Sequence, residues 1–115
     1  MSKYFIKLFY IIIFILGFLL SRNIISNDIP VGQLVDFTGP TSSVGKPFGQ
    51  GHIDAIKWIN KNGGINNRKI RVDTVDYSYK APRAVATYKR WKSRLKVITV
   101  IGWGTADTEA LMETI

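Results

Sequence analysis

The residues best suited to chemistry lie near the end of the chain, in Gly102-Trp103-Gly104-Thr105-Ala106-Asp107-Thr108. Two glycines let a backbone turn sharply and let a ligand approach it closely. Thr105, Asp107 and Thr108 then stand where a helix begins. Free N–H groups and the positive end of the helix dipole favour a carboxylate or another anion there. Thr105 can equally cap that helix, and the two roles are compatible. Trp103 either lids the core or walls a ligand. Asp107 either faces the ligand, favouring a cationic or amide group, or caps the helix and leaves an anion acceptable.

Other candidates fail on spacing. A phosphate loop needs G-x-x-x-x-G-K-[ST], so that amides wrap the phosphates and a hydroxyl meets the magnesium. Gly39 and Gly45 enclose five residues, and Lys46 is followed by Pro47, which has neither hydroxyl nor N–H. Gly49-Gln50-Gly51 is followed by His52-Ile53-Asp54, so the dinucleotide fingerprint lacks its third glycine. Asp36 and Asp76 each close a strand, but no nucleophile has a base marked out beside it. The chain therefore reads as a non-enzyme that needs no cofactor. With no cysteine and one histidine, His52, it offers no disulfide and no zinc site.

The elements that must position the corner follow from periodicity. Ile29–Phe37 reads as a buried strand, and the Gly/Pro/Ser-rich stretch after it as a loop. Phe48, His52, Ala55, Ile56 and Ile59 fall on one helical face, predicting a helix over 48–62 that Gly63-Gly64 ends. Residues 70–76 form a second strand and 78–96 a second helix, with Pro82 in its first turn. Ala81, Val85, Tyr88, Trp91 or Lys92, and Leu95 make its inner stripe. Val97–Ile101 is a third strand, and a third helix follows Thr105. Strands alternating with helices imply an α/β fold with a doubly wound parallel sheet and ligands at the strands' carboxyl ends.

The chain has 115 residues, no more than one small domain, and a formal net charge of +8. Lys3 and Lys7 precede an apolar run from Leu8 to Leu20, which is shorter than the about 20 residues of a spanning helix. Residues 1–26 therefore read as a signal peptide, cut near Ser21 or Ser26, the alternative being a retained anchor. Export argues against nucleic acid as a partner. The cations from Lys80 to Lys96, with no acid between them, read as a solvated face.

One longer pattern is more specific. Thr38-Gly39-Pro40, Gly45, Ile59-Asn60, Gly63-Gly64-Ile65, Arg68 and Asp76 occur in the order, and with the surroundings, seen in the branched-chain amino-acid-type periplasmic binding proteins. The chain resembles the N-terminal part of that family over nearly everything after the leader. The resemblance implies a type 1 fold, with 27–115 as an incomplete N-terminal lobe. It implies an extracytoplasmic solute-binding component of an ABC importer, with permease and ATPase subunits as partners. The alternative role is the ligand-sensing domain of a membrane receptor. It places a small-molecule ligand's carboxylate against Gly104, Thr105, Ala106, Asp107 and Thr108, with the loop from about Thr41 to Phe48, Val44 included, lining the cleft beside Trp103. Two departures matter. Ala106 stands where amino-acid-binding members carry a serine hydroxyl, and Val44 where some carry an aromatic. Amino acids, amides and urea-like solutes are all expected ligands.

Overall fold

The computed structural model describes residues 27–115; the expected leader lies outside the described residues. Strand β1 (Ile29–Val35) is followed by helix α1 (Ser42–Lys61), β2 (Ile70–Asp76) and α2 (Ala81–Arg90). A π-helical turn (Trp91–Leu95) extends α2, and β3 (Thr99–Ile101) leads into α3 (Thr105–Met112). The sheet is parallel with order β2-β1-β3. It is the α/β arrangement that the alternating pattern predicts.

β1 lies between its neighbours, which is why it is nearly continuously buried. Its residues alternate between two faces. Val35 meets α1 at Gly49, while Leu34 joins Tyr77, Ala84, Trp91 and Leu111 on the other side. Gln33, buried on the α1 face, is fully employed. Its Nε2 donates to the Gly49 carbonyl at 3.2 Å and its Oε1 accepts from Thr74 Oγ1 at 2.9 Å. His52 Nδ1 lies 3.4 Å from the same amide, so this histidine is packed rather than presented to a ligand.

Several boundaries differ from the sequence expectation, each for a physical reason. β1 ends two residues before Phe37, because the Phe37 N–H leaves the ladder for the Asp76 carboxylate at 3.0 Å. α1 starts at Ser42, not Phe48, so most of the expected loop is helical. Its glycines serve close packing rather than turning. A Cβ on Gly45 would lie 2.2 Å from the Asp36 carbonyl oxygen, and one on Gly49 2.7 Å from Val35. Pro47 sits inside the helix on the water side, where exposed Ser43 can leave its carbonyl to solvent. The buried face is consequently Gly45, Gly49 and Ile56, while Phe48 and Ala55 are exposed. α2 begins at Ala81, since Ser78 and Tyr79 have φ of 52° and 56°, outside the helical region. Gly64, at φ 80°, makes the expected helix-ending turn.

Gly45→Ala should lower stability by about 1–3 kcal/mol, the usual range for overpacking against an unyielding neighbour. The neighbour here is backbone, which cannot rotate away. A fall in the urea midpoint is the check, and an unchanged midpoint would mean that α1 can shift outward freely.

Candidate functional site

Three loops leave the carboxyl ends of the strands, and three aspartates hold them, the loop after β1 being held by both Asp36 and Asp76. Asp36, fully buried at the end of β1, accepts from Gly39 N–H at 2.5 Å, Thr41 N–H at 2.8 Å and Thr41 Oγ1 at 2.6 Å. Asp76, at the end of β2, accepts from Thr38 Oγ1 at 2.6 Å, Ser78 N–H at 2.9 Å and Phe37 N–H at 3.0 Å. Asp107, in the first turn of α3, accepts from Tyr77 Oη at 2.5 Å, Gly104 N–H at 2.8 Å and Trp103 N–H at 3.0 Å.

These bonds set the ionisation of Asp36 and Asp76. Burial pushes the Asp36 pKa up, but donations from the Thr41 hydroxyl and the Thr41 and Gly39 amides outweigh it, holding it below the usual value. Burial opposes ionisation of Asp76 too; the Thr38 hydroxyl, the Phe37 and Ser78 amides and nearby Arg83 bring it down. Burial, with Asp107 beside it, raises the Tyr77 phenol, which therefore remains a donor.

Depressed folded-state values mean that Asp36 and Asp76 stabilise the fold at neutral pH. That contribution is lost as the pH falls below the ordinary aspartate value of 3.8 and through the folded pKa. Asp36→Asn should be less stable near neutrality and lose less stability on acidification than the parent. Urea unfolding at about pH 7 and about pH 3 measures both effects. Parallel pH profiles for parent and variant would contradict the assignment.

The loops after β1 and β3 meet across the sheet's switch point, where successive connections depart in opposite directions from β1. There the Trp103 Nε1–H donates to Thr41 Oγ1 at 2.8 Å. Thr41 thus donates to Asp36 and accepts from Trp103, linking both loops through one hydroxyl. The Phe48 ring lies 4.9 Å from Trp103 and 4.2 Å from His52, which continues the wall along α1. Val44 is exposed one turn before Phe48.

The expected site residues divide into two groups. Trp103, Phe48 and Val44 share one wall, with Thr105 exposed and Ala106 half-buried at the start of α3. Asp107 does not belong to that surface. It is 1 % exposed and turned inward, because the amides of Trp103 and Gly104 and the Tyr77 hydroxyl all need an acceptor. Thr105 is not the cap; Gly104 occupies that position, and Asp107 reaches back to its N–H. Thr108 Oγ1 donates to the Gly104 carbonyl at 2.8 Å. Gly104 is needed for close approach, but to Tyr79: a Cβ there would lie 2.9 Å from the Tyr79 ring. Thr41 stands in the expected cleft-lining loop, whereas nothing in the local sequence marks Tyr77 and Tyr79 as organisers of the corner. Asp36 is legible in the sequence as a strand end, and its place two residues before Thr38-Gly39 is the signal for its role in the loop. The groove between α2 and α3, about 490 Å³ and lined by Pro82, Val85, Ala110 and Glu113, lies outside this corner.

The periplasmic binding protein family profile matches residues 28–115. The chain belongs to that family. An amino acid binding protein of Pseudomonas aeruginosa is 33% identical over 75 residues, covering 65% of this chain and 20% of that protein. The substrate binding protein of an Aeropyrum pernix ABC transporter is 42% identical with TM-score 0.70, covering 76% of this chain and 24% of that one. A branched-chain amino acid transporter substrate binding protein from Streptococcus pneumoniae, solved with isoleucine, is 25% identical with TM-score 0.68 over 73% of this chain and 24% of its own. A fatty acid ABC transporter substrate-binding protein from Thermomonospora curvata is also 25% identical, with TM-score 0.69 over 76% of this chain and 22% of its own. This periplasmic binding protein chain thus spans a quarter or less of each of these relatives. The fold and the family are those that the Thr38-Gly39-Pro40 to Asp76 pattern implied.

Proposed function

We propose that this chain supplies one wall of a solute-binding cleft in an exported ABC-importer component. The observation that supports it best is the Trp103–Thr41 bridge. It joins two loops at the switch point of a periplasmic binding protein sheet, where open α/β sheets bind their ligands. On this reading residues 1–26 are a signal peptide removed on export, and the partners are a permease and an ATPase. The chain contributes no catalysis.

The ligand we favour is an amino acid rather than an amide or urea. Asp107 is spent on internal donors, so its charge is partly compensated and its oxygens face inward. A carboxylate can then approach the first amides of α3 and the exposed Thr105 hydroxyl. Val44, Phe48 and Trp103 offer apolar surface for a side chain. Relatives named for amino acid and isoleucine binding support this reading, whereas the fatty acid relative shows that the fold carries other carboxylates.

The test is calorimetry on a chimera in which residues 28–115 continue into the remainder of the Aeropyrum pernix protein. Aliphatic amino acids should bind, while their amides and urea bind at least tenfold more weakly. Preference for the amides would sink the carboxylate assignment. Absence of binding by any of these solutes would sink the amino-acid class altogether.

A further inference from the structure

The two ends of the sheet differ sharply in charge. At the site end, Asp36, Asp76 and Asp107 stand with Lys46, Lys80 and Arg83. At the opposite end, where the strands begin, Lys61, Arg68, Lys69, Arg71, Arg94 and Lys96 gather, and Asp28 stands at the same end, just before β1. Connectivity fixes their position. Lys61 ends α1, and Lys69 and Arg71 flank the first residue of β2. Arg94 and Lys96 close the π-helical turn just before Ile98 N–H donates to the Pro30 carbonyl at 3.0 Å. All but Arg68 are exposed. Arg68 donates to the carbonyl oxygens of Asn27 at 2.7 Å and Asp28 at 3.5 Å, acceptors that leave its charge uncompensated. The carboxylates of Asp54 and Asp73 are engaged elsewhere, by Lys57 at 3.4 Å and Arg90 at 2.7 Å.

The same end receives the preceding chain. Arg68 holds Asn27, the residue that residues 1–26 join. Those residues carry the apolar run Leu8–Leu20 with Lys3, Lys7 and Arg22 around it. Until the leader is removed on export, contact of that run with the bilayer brings this cationic end to the headgroups through the short connection and turns the Trp103 corner away from them.

We propose that the Lys61–Arg68–Lys69–Arg71–Arg94–Lys96 end of the domain is a docking face for an anionic phospholipid surface. Clusters of four to eight Lys and Arg beside a membrane-contacting segment attract acidic headgroups, by roughly fivefold in partitioning for each cation. The attraction is confined to about a Debye length, so it belongs to the cations at that end and not to net charge alone.

The test measures partition of the 115-residue chain onto sucrose-loaded vesicles containing phosphatidylglycerol at low salt. The leader's own cations are common to every variant, so comparison between variants decides. Lys61→Glu/Arg94→Glu should weaken partition by about 25-fold or more, from roughly fivefold per cation. Arg71→Glu/Lys96→Glu, an independent pair, should do the same. Lys46→Glu/Lys80→Glu, with the same change in net charge at the other end, should stay within about twofold of the parent. Circular dichroism checks that all three variants are folded. About 1 M salt should erase the differences, since the Debye length is then about 3 Å. Equal losses in all three variants would reduce the effect to net charge and overturn the docking face. No loss in either pair at the cationic end would overturn it too, and would leave an acidic protein as what this surface meets.

Discussion

Trp91→Ala should lower stability by about 3–5 kcal/mol, the largest effect expected of any single substitution here. The side chain is fully buried and packs with Leu34, Tyr77, Ala84 and Leu111. Its six-membered ring lies over β1 where Gly32 leaves room; a Cβ there would be 2.5 Å from the ring. Its Nε1–H donates to Asp73 at 2.5 Å, and Asp73 also takes Arg90 at 2.7 Å. Truncation therefore opens a cavity under the central strand and removes a donor from a charged acceptor. Total stabilities of about 5–15 kcal/mol leave little margin for such a loss. Trp91→Phe, which keeps most of the volume, should cost clearly less. Urea unfolding of both variants is the check. An Ala variant with the parent's midpoint would show that the sheet does not depend on this contact.

Asp107→Ala should cost about 3 kcal/mol of stability and weaken ligand binding as well. Three donors converge on this carboxylate: the Tyr77 phenol and the amides of Trp103 and Gly104. Losing a shared acceptor leaves each donor to find water, at about 1–3 kcal/mol for a buried one. The backbone at 103–104 would then lose the tether that aims the start of α3, and Trp103 would lose part of its support. Asp107→Asn retains an acceptor oxygen but no charge, so an intermediate effect is expected. Combined thermal melts and calorimetry on the chimera separate the two consequences. An Ala variant with lower stability but unchanged affinity would show that the corner's geometry does not rely on Asp107.

What the sequence made legible was local. The β-α-β-α-β-α order, the bounds of β2 and the Gly63-Gly64 stop depend on periodicity and backbone freedom within a few residues. What it hid was set by distant partners. Gly45 and Gly49 look like loop residues until Asp36 and Val35 are seen to press against the helix. Ser78 and Tyr79 look helical, yet the chain turns left-handed there, with the Tyr79 ring against Gly104. The corner followed the same division. Two glycines and a helix start were readable, whereas Asp107 could be read as facing the ligand or the cap. Its inward turn depends on Tyr77, thirty positions earlier. Likewise Trp103 finds Thr41 sixty-two positions away, a pairing that only the parallel sheet creates.

The claim that the 102–108 corner holds the solute is tested most directly by affinity in the chimera with Gly104→Val and Thr105→Ala. The Gly104 side chain would meet the Tyr79 ring, at 2.9 Å even for a Cβ alone, and displace the start of α3. If the corner holds the solute, removing the Thr105 hydroxyl leaves a ligand oxygen unpaired, worth about 1–3 kcal/mol. Calorimetric titration with the best-bound amino acid should therefore show about tenfold weaker binding for Thr105→Ala and a greater loss for Gly104→Val. A chimera that binds its ligand equally well, within about twofold, with either substitution would place the site elsewhere and leave this corner as a helix start held by Asp107.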